Sequence, residues 1–328
     1  ERGQPASLET LVNSLLNPEG RSEMMEFIDR QDVPGLDPLH PLYCRSLIVA
    51  DLTEPRIHPP DEIRYNIFQT LQYLTDWLAG NGCVALPAQI DGIPVRIMDD
   101  LATAERSRWE VWHEVYHRRL SLEDFLRMAY EELHFIRKDL SDEKKQVQVQ
   151  WDERTRRWYP ISLKIMILLM THTKPVEFAT ELLLPFTIPS IRESADPWAA
   201  AQKLDAPKYA LNPYVERFCS YFEICGSVAF AQSLAAGPFL DENLAQTIIQ
   251  NFDLESIQAA AHFHGDIGES QKTLDPRAAQ EQALVLNDAQ RIQVALREAG
   301  AVYRNRFGMK FLISAQGKTG SQILERLN

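Results

Sequence analysis

Residues Leu71 to Arg108 read LQYLTDWLAGNGCVALPAQIDGIPVRIMDDLATAERSR. Leu71, Leu74 and Leu78, with Trp77 beside them, recur at helical spacing, and the helix stops at Gly80-Asn81-Gly82. An apolar strip, Cys83 to Leu86, follows; then two adjacent carboxylates, Asp99 and Asp100, stand just before a new helical pattern. The stretch therefore predicts a loop-borne acid held between two helices, in a mainly α fold.

Outward from it, Pro59-Pro60-Asp61-Glu62 puts proline and acids at a helix start, and Ile63, Ile67 and Leu71 continue the apolar stripe. Downstream, Thr103 to Arg118 is helical, and Ser121 followed by Glu123 and Asp124 reads as a cap opening a helix through Ile136. Val147, Val149 and Trp151 alternate with glutamines, a turn follows at Asp152–Thr155, and Trp158 lies on the return, which predicts a small inserted β-hairpin within 141–158. Helices at 161–170 and 176–184 close a first module. Upstream, residues 1–46 read as a helical extension with apolar positions at Leu8, Leu11, Leu15 and Leu16. The expected organisation is that extension, a helical domain over 47–196, a linker over 197–212, and a second helical domain over 213–328, in which 310–314 forms a short buried run.

The chain has 328 residues, 45% of them apolar, enough for two real cores. A net charge of −12 repels phosphates, which excludes nucleic acid and anionic membranes as expected partners. The four cysteines, 44, 83, 219 and 225, show neither metal-ligand nor framework spacing and suit reduced thiols. The longest apolar run, Ile161 to Met170, contains Lys164 and is far short of a membrane span, and no signal pattern opens the chain. These features predict a cytoplasmic protein.

The phrase GNGCV, followed by Asp99-Asp100-Leu101-Ala102-Thr103-Ala104-Glu105-Arg106-Ser107-Arg108, resembles the C-terminal domain of malate synthases. There the same helix, loop and acidic pair carry the aspartate that deprotonates acetyl-CoA, and Asp100 falls on that aspartate. The resemblance implies that the Mg²⁺ and most of the coenzyme pocket belong to a TIM barrel. Such a barrel needs about 250 residues, and only some fifty precede the match. Malate synthase activity is accordingly not expected from this chain alone, and Mg²⁺ or CoA is expected only with a separate barrel protein. Three readings stay open for Asp99 and Asp100: service to a barrel on another polypeptide, recruitment to a new site, or capping of the helix near Thr103.

In the second module, Phe263-His264-Gly265-Asp266-Ile267, Gln280-Glu281-Gln282 and Tyr303 to Phe311 resemble the phrases His-Pro-Asp-Leu, Ser-x-x-Glu-Gln and Tyr-x-x-x-Phe-Gly-Phe-Pro-Phe of the 2-oxo-4-hydroxy-4-carboxy-5-ureidoimidazoline (OHCU) decarboxylases. That family is all-helical and cofactor-free and acts after urate oxidation. The resemblance implies His264 and Glu281 as catalytic groups; Gly265 and Gln316 in this module, and Asp99 in the first, are candidate substrate contacts. Three positions depart from the pattern: Gly265 replaces a proline, Ala278 a serine, and Gln316 an arginine that would clamp a carboxylate. A decarboxylation that leaves a carbanion needs an acid to return a proton, which His264 can supply with Glu281 as its partner. The expected ligand is a small carboxylate.

One further motif, His113-Glu114-Val115-Tyr116-His117, fits H-E-x-x-H, which on a helix presents two Zn²⁺ ligands; Glu131, Glu132 or His134 would be the third. It lies in an aromatic-rich helix, and the expectation is that no metal is held there. The alternative to an enzyme is a scaffold or accessory subunit with a protein partner. A single pocket lined by His264, Glu281 and Asp100 would favour the enzyme.

Overall fold

The computed structural model describes residues 58–90, 92–138, 151–269 and 276–327; the N-terminal extension, Cys44 and positions 139–150 lie outside them. Among the described residues the fold is mainly α with one antiparallel hairpin.

Helix α1 (Pro60–Ala79) starts as the prolines and acids dictate, with extended Pro59 as N-cap, and ends on Gly80, whose φ of 104° suits a residue without Cβ. Its stripe Ile63, Ile67, Leu71, Leu74 and Leu78 is buried. The opposite face is buried too, so its polar groups are satisfied within the protein. Thr70 and Thr75 donate back to the carbonyls of Asn66 and Leu71 at 2.8 Å each, and the Tyr159 hydroxyl donates to Gln72 at 3.0 Å. Strands β1 (Val84–Ile90) and β2 (Ile93–Asp99) then pair in register Val84↔Asp99 to Ile90↔Ile93. The hairpin expected within 141–158 lies largely outside the described residues; the described part, 151–158, forms turns leading directly into the next helix, with Trp151 stacked on Tyr159.

Helix α2 (Leu101–Tyr116) packs along α1. Helix α3 (Leu122–Arg137) opens on Ser121, whose hydroxyl accepts from the Asp124 amide at 3.1 Å. Helix α4 (Tyr159–Thr171) is apolar nearly all round and correspondingly buried. Short helical turns at Thr180–Leu183 and Pro189–Arg192 follow; 176–179 is not helical. The stretch read as a linker contains α5 (Pro197–Leu204), which buries Trp198.

Helices α6 (Pro213–Cys225) and α7 (Val228–Ala235) add Phe218, Phe222, Phe230 and Leu234 to the same core as α1–α4. Beyond them come α8 (Glu242–Gln250), α9 (Leu254–His262), α10 (Pro276–Glu281), a turn at Ala283–Leu286, α11 (Gln290–Phe307) and α12 (Gly320–Leu327). A small second cluster, Val285, Leu296, Ala315 and Ile323, holds this end. The 310–314 run is irregular, and Leu312 is 44% exposed, so it is not the buried segment its composition predicts.

Candidate active site

Helix α9 is stopped at His262 and the chain turns through Phe263 and His264 to Gly268. Three anchors fix this turn. Phe263 packs edge-on against Phe222 with ring centres 5.0 Å apart. The Lys310 ammonium donates to the carbonyls of His262 at 3.0 Å and His264 at 2.8 Å, closing the helix end as a cation there should. Gln282, only 2% exposed, accepts from the Gly268 amide at 3.0 Å and donates to the Asp266 carbonyl at 3.2 Å. Arg304 pairs with Asp266 at 2.6 Å. Burial is the main cause that lowers the Lys310 pKa; Asp266 opposes it, while Lys138 and Arg304 reinforce it.

The anchored turn forms one wall of a cavity of about 330 Å³. His264 and Gly265 of the turn and Ala278 and Glu281 of α10 line it, and Ile267, Phe311 and Ile313 supply apolar surface. His264 and Glu281, residue types suited to proton transfer, thus border one small, open space. Gln316 is exposed on the turn after the wall residue Ala315 and does not line the cavity.

Asp99 and Asp100 do not line it either. Asp100 is exposed and caps α2: its Oδ1 accepts from the Thr103 amide at 3.1 Å. Asp99, at the end of β2, is 2% exposed. One oxygen accepts from Gln69 at 3.4 Å, and Gln69 in turn accepts from the Ser107 hydroxyl at 3.2 Å. The other, Oδ2, has no hydrogen-bond partner. Burial raises the Asp99 pKa; the Gln69 bond offsets part of this and the charge of Asp100 adds to it.

At the H-E-x-x-H motif the two imidazoles lie 4.4 Å apart, ring centre to ring centre, at the exposed end of α2. Glu114, which a metallohydrolase would need as base, is clamped by Arg119 through two bonds of 2.8 and 2.9 Å, and Arg119 also donates to His113 Nδ1 at 2.7 Å. The third-ligand candidates are engaged elsewhere: Glu131 and Glu132 pair with Arg64, and His134 packs on His262. Among the described residues, the one group close enough to share an ion is His58, Glu62 and Glu110, and Glu110 already accepts from Arg106 and Asn66 at 2.8 Å each.

Gln282 and Lys310 are the site residues that sequence reasoning passed over. The Glu281-Gln282 dipeptide was the available signal for the first. Lys310 stands where the decarboxylase phrase has a proline, and its role emerges only once α9 and the 310 region are neighbours.

Comparison with known proteins supports both modules. Residues 58–184 match the family model "Malate synthase, C-terminal", and residues 215–328 match "OHCU decarboxylase". The chain is similar to the malate synthase of Dictyostelium discoideum (36% identity over 75 residues, 23% of this chain and 12% of that protein). It is also similar to malate synthase A of Escherichia coli strain K12 (32% over 89 residues, 25% and 15%) and to the bifunctional glyoxylate cycle protein of Caenorhabditis elegans (44% over 54 residues, 16% and 5%). The matches thus span 15% or less of the length of these relatives.

Proposed function

We propose that this protein is a lyase of ureide and glyoxylate metabolism, removing CO₂ from a small carboxylated substrate, or carrying out related carbanion chemistry, in the cytoplasm. The observation that carries this reading is the convergence of His264 and Glu281, from separate elements, on one cavity within the OHCU decarboxylase match. In the proposed step the substrate's C–C bond breaks, its electron pair stays on the ring carbon as CO₂ departs, and protonated His264 gives that carbon its proton. Glu281 accepts a hydrogen bond from the substrate's ureido N–H or from the imidazole, orienting one against the other. Neither act calls for a metal or an organic cofactor. The departures Gly265 and Ala278, both on the cavity wall, go with a pocket reshaped for a related acid.

The test follows the decay of freshly generated OHCU by circular dichroism, with and without EDTA. Turnover should persist in EDTA, and His264→Ala and Glu281→Ala should each slow it by about 10² or more, as loss of a positioned acid or its partner does. Turnover indifferent to His264→Ala would overturn the assignment.

A second reading is favoured by the exposure of Asp100 beside Met98, itself 63% exposed. This face would serve as the C-terminal domain of a separate barrel protein that brings Mg²⁺ and CoA. Mixing the chain with a malate synthase lacking its own C-terminal domain should then restore condensation, and Asp100→Asn should abolish the rescue.

A further inference from the structure

His58, Glu62 and Glu110 bring one ring nitrogen and two carboxylate oxygens within 4.8 Å of one another. His58 stands two residues before α1, Glu62 lies in the first turn of that helix, and Glu110 lies in the middle of α2, which packs along it. Extended Pro59 and helical Pro60 fix the chain where His58 is delivered to the helix start. Three ligand types of a metal centre thus meet where two long helices touch.

The state of the imidazole points to a ligand. The His58 side chain is only 7% exposed, and its Nδ1 makes no hydrogen bond. A buried ring nitrogen left without a partner is costly, and native structures rarely tolerate one without a use for it. Nδ1 lies 3.5 Å from Glu62 Oε2 and 4.0 Å from Glu110 Oε2. An imidazolium simply paired with these acids would donate Nδ1–H to one of them, and no such bond is made. Tetrahedral Zn²⁺, with bonds of about 2.0–2.2 Å, sets its ligand atoms about 3.4 Å apart. The first pair stands at that spacing already, and the second is reached by a small turn of a glutamate side chain.

The carboxylate of Glu110 is braced as a metal ligand should be. Asn66 donates to its Oε2 and Arg106 to its Oε1, each at 2.8 Å. A carboxylate oxygen has two lone pairs, so Oε2 keeps one for an ion while the outer bonds hold its direction. Glu62 has further contacts of its own, and one lone pair of its Oε2 is all that the site asks of it.

We propose that His58 Nδ1, Glu62 Oε2 and Glu110 Oε2 hold a zinc ion that ties the start of α1 to the middle of α2, with solvent completing the shell. An imidazole beside two carboxylates suits Zn²⁺, whereas Mg²⁺ takes oxygen octahedra. None of the three residues lines the cavity of His264 and Glu281, so the site stands independently of the proposed decarboxylation.

Isothermal titration of the metal-stripped full chain with Zn²⁺, and with Mg²⁺, tests the proposal. One equivalent of Zn²⁺ should bind and raise the melting temperature, and Mg²⁺ at the same concentration should do neither. His58→Ala, Glu62→Gln and Glu110→Gln should each weaken Zn²⁺ at least about tenfold. His117→Ala, in the H-E-x-x-H motif, should leave the affinity unchanged. Should His58→Ala fail to fold, the two glutamine variants, which keep the shape of the side chain, read the same ligation. Co²⁺ in place of Zn²⁺ should show the strong visible absorption of a four-coordinate centre, lost in Glu110→Gln, which loose surface binding does not produce. No saturable Zn²⁺, an equal response to Mg²⁺, unchanged affinity in either glutamine variant, a hydrated-ion cobalt spectrum, or binding lost in His117→Ala would each overturn the proposal.

Discussion

Replacing Gln282 by alanine should loosen the turn that carries His264. The side chain supplies an acceptor to Gly268 N–H and a donor to Asp266 C=O, and it is almost wholly buried. Each lost bond costs about 1 kcal/mol net, and the buried Gly268 amide left without a partner adds to this, for a total of about 2–3 kcal/mol. Converted at about 1.4 kcal/mol per decade, the turn should open about 30- to 140-fold more often. Tryptophan fluorescence would miss the change, since all six tryptophans lie at or before position 198. Hydrogen exchange of a peptide covering 264–269 reads it directly, because protection there reports local opening. Gln282→Glu keeps the acceptor for Gly268 but sets a carboxylate against the Asp266 carbonyl, and should recover less than half of the lost protection. The proposed decarboxylation should fall in step with protection. Unchanged exchange in Gln282→Ala, with the fold intact, would refute the view that this glutamine holds the turn.

Other outcomes follow from the same geometry. Asp99→Asn should stabilise the protein at pH 7, because it removes a buried, half-partnered carboxylate. The Asp99 pKa is raised in the folded state, so its penalty is present at neutral pH and fades as pH falls through that raised value toward the unfolded one. Urea titrations should therefore show the advantage of Asp99→Asn shrinking on acidification. Asp100→Ala should cost about 1 kcal/mol through loss of the α2 cap, whereas Asp100→Ser should cost little, read as a midpoint shift in the same titrations. Gly226→Ala should lower the melting temperature more than an ordinary surface substitution, because its φ is +67° and a Cβ would stand 2.8 Å from the Phe263 ring. The displaced Phe263 should also slow any His264-dependent turnover.

Helix starts and stops were largely legible in the sequence, because capping is local chemistry: Pro59-Pro60, Gly80 and Ser121 stand where their residue types predict. The hairpin was legible only in part. Pro87 and Pro94 argue against strands, yet in a two-stranded ribbon each strand is an edge and tolerates a proline. The signal that could have located it is the Asp91-Gly92 dipeptide between two apolar runs. The alternation of Val147, Val149 and Trp151 falls mostly outside the described residues, and Trp151, which is described, stacks on Tyr159. For the site, His264 and Glu281 could be found from short phrases. The Lys310 bonds to the α9 carbonyls, and the partition of Asp99 and Asp100 into a buried acid and an exposed cap, depend on tertiary neighbours that no local pattern encodes.

The aromatic faces of α6 and α7 share the core of α1–α4 although they belong to the other family match. The boundary between the two families therefore runs along the chain without being a joint in the structure. A fragment ending near residue 212 would bare the surface that Phe218 and Phe222 now cover, and one beginning there would carry those rings into water. For the lineage that carries it, such a fusion works as a ratchet. Either half can drift in chemistry, as the altered positions around His264 indicate, but neither can be discarded by a simple deletion without unmaking the half that stays.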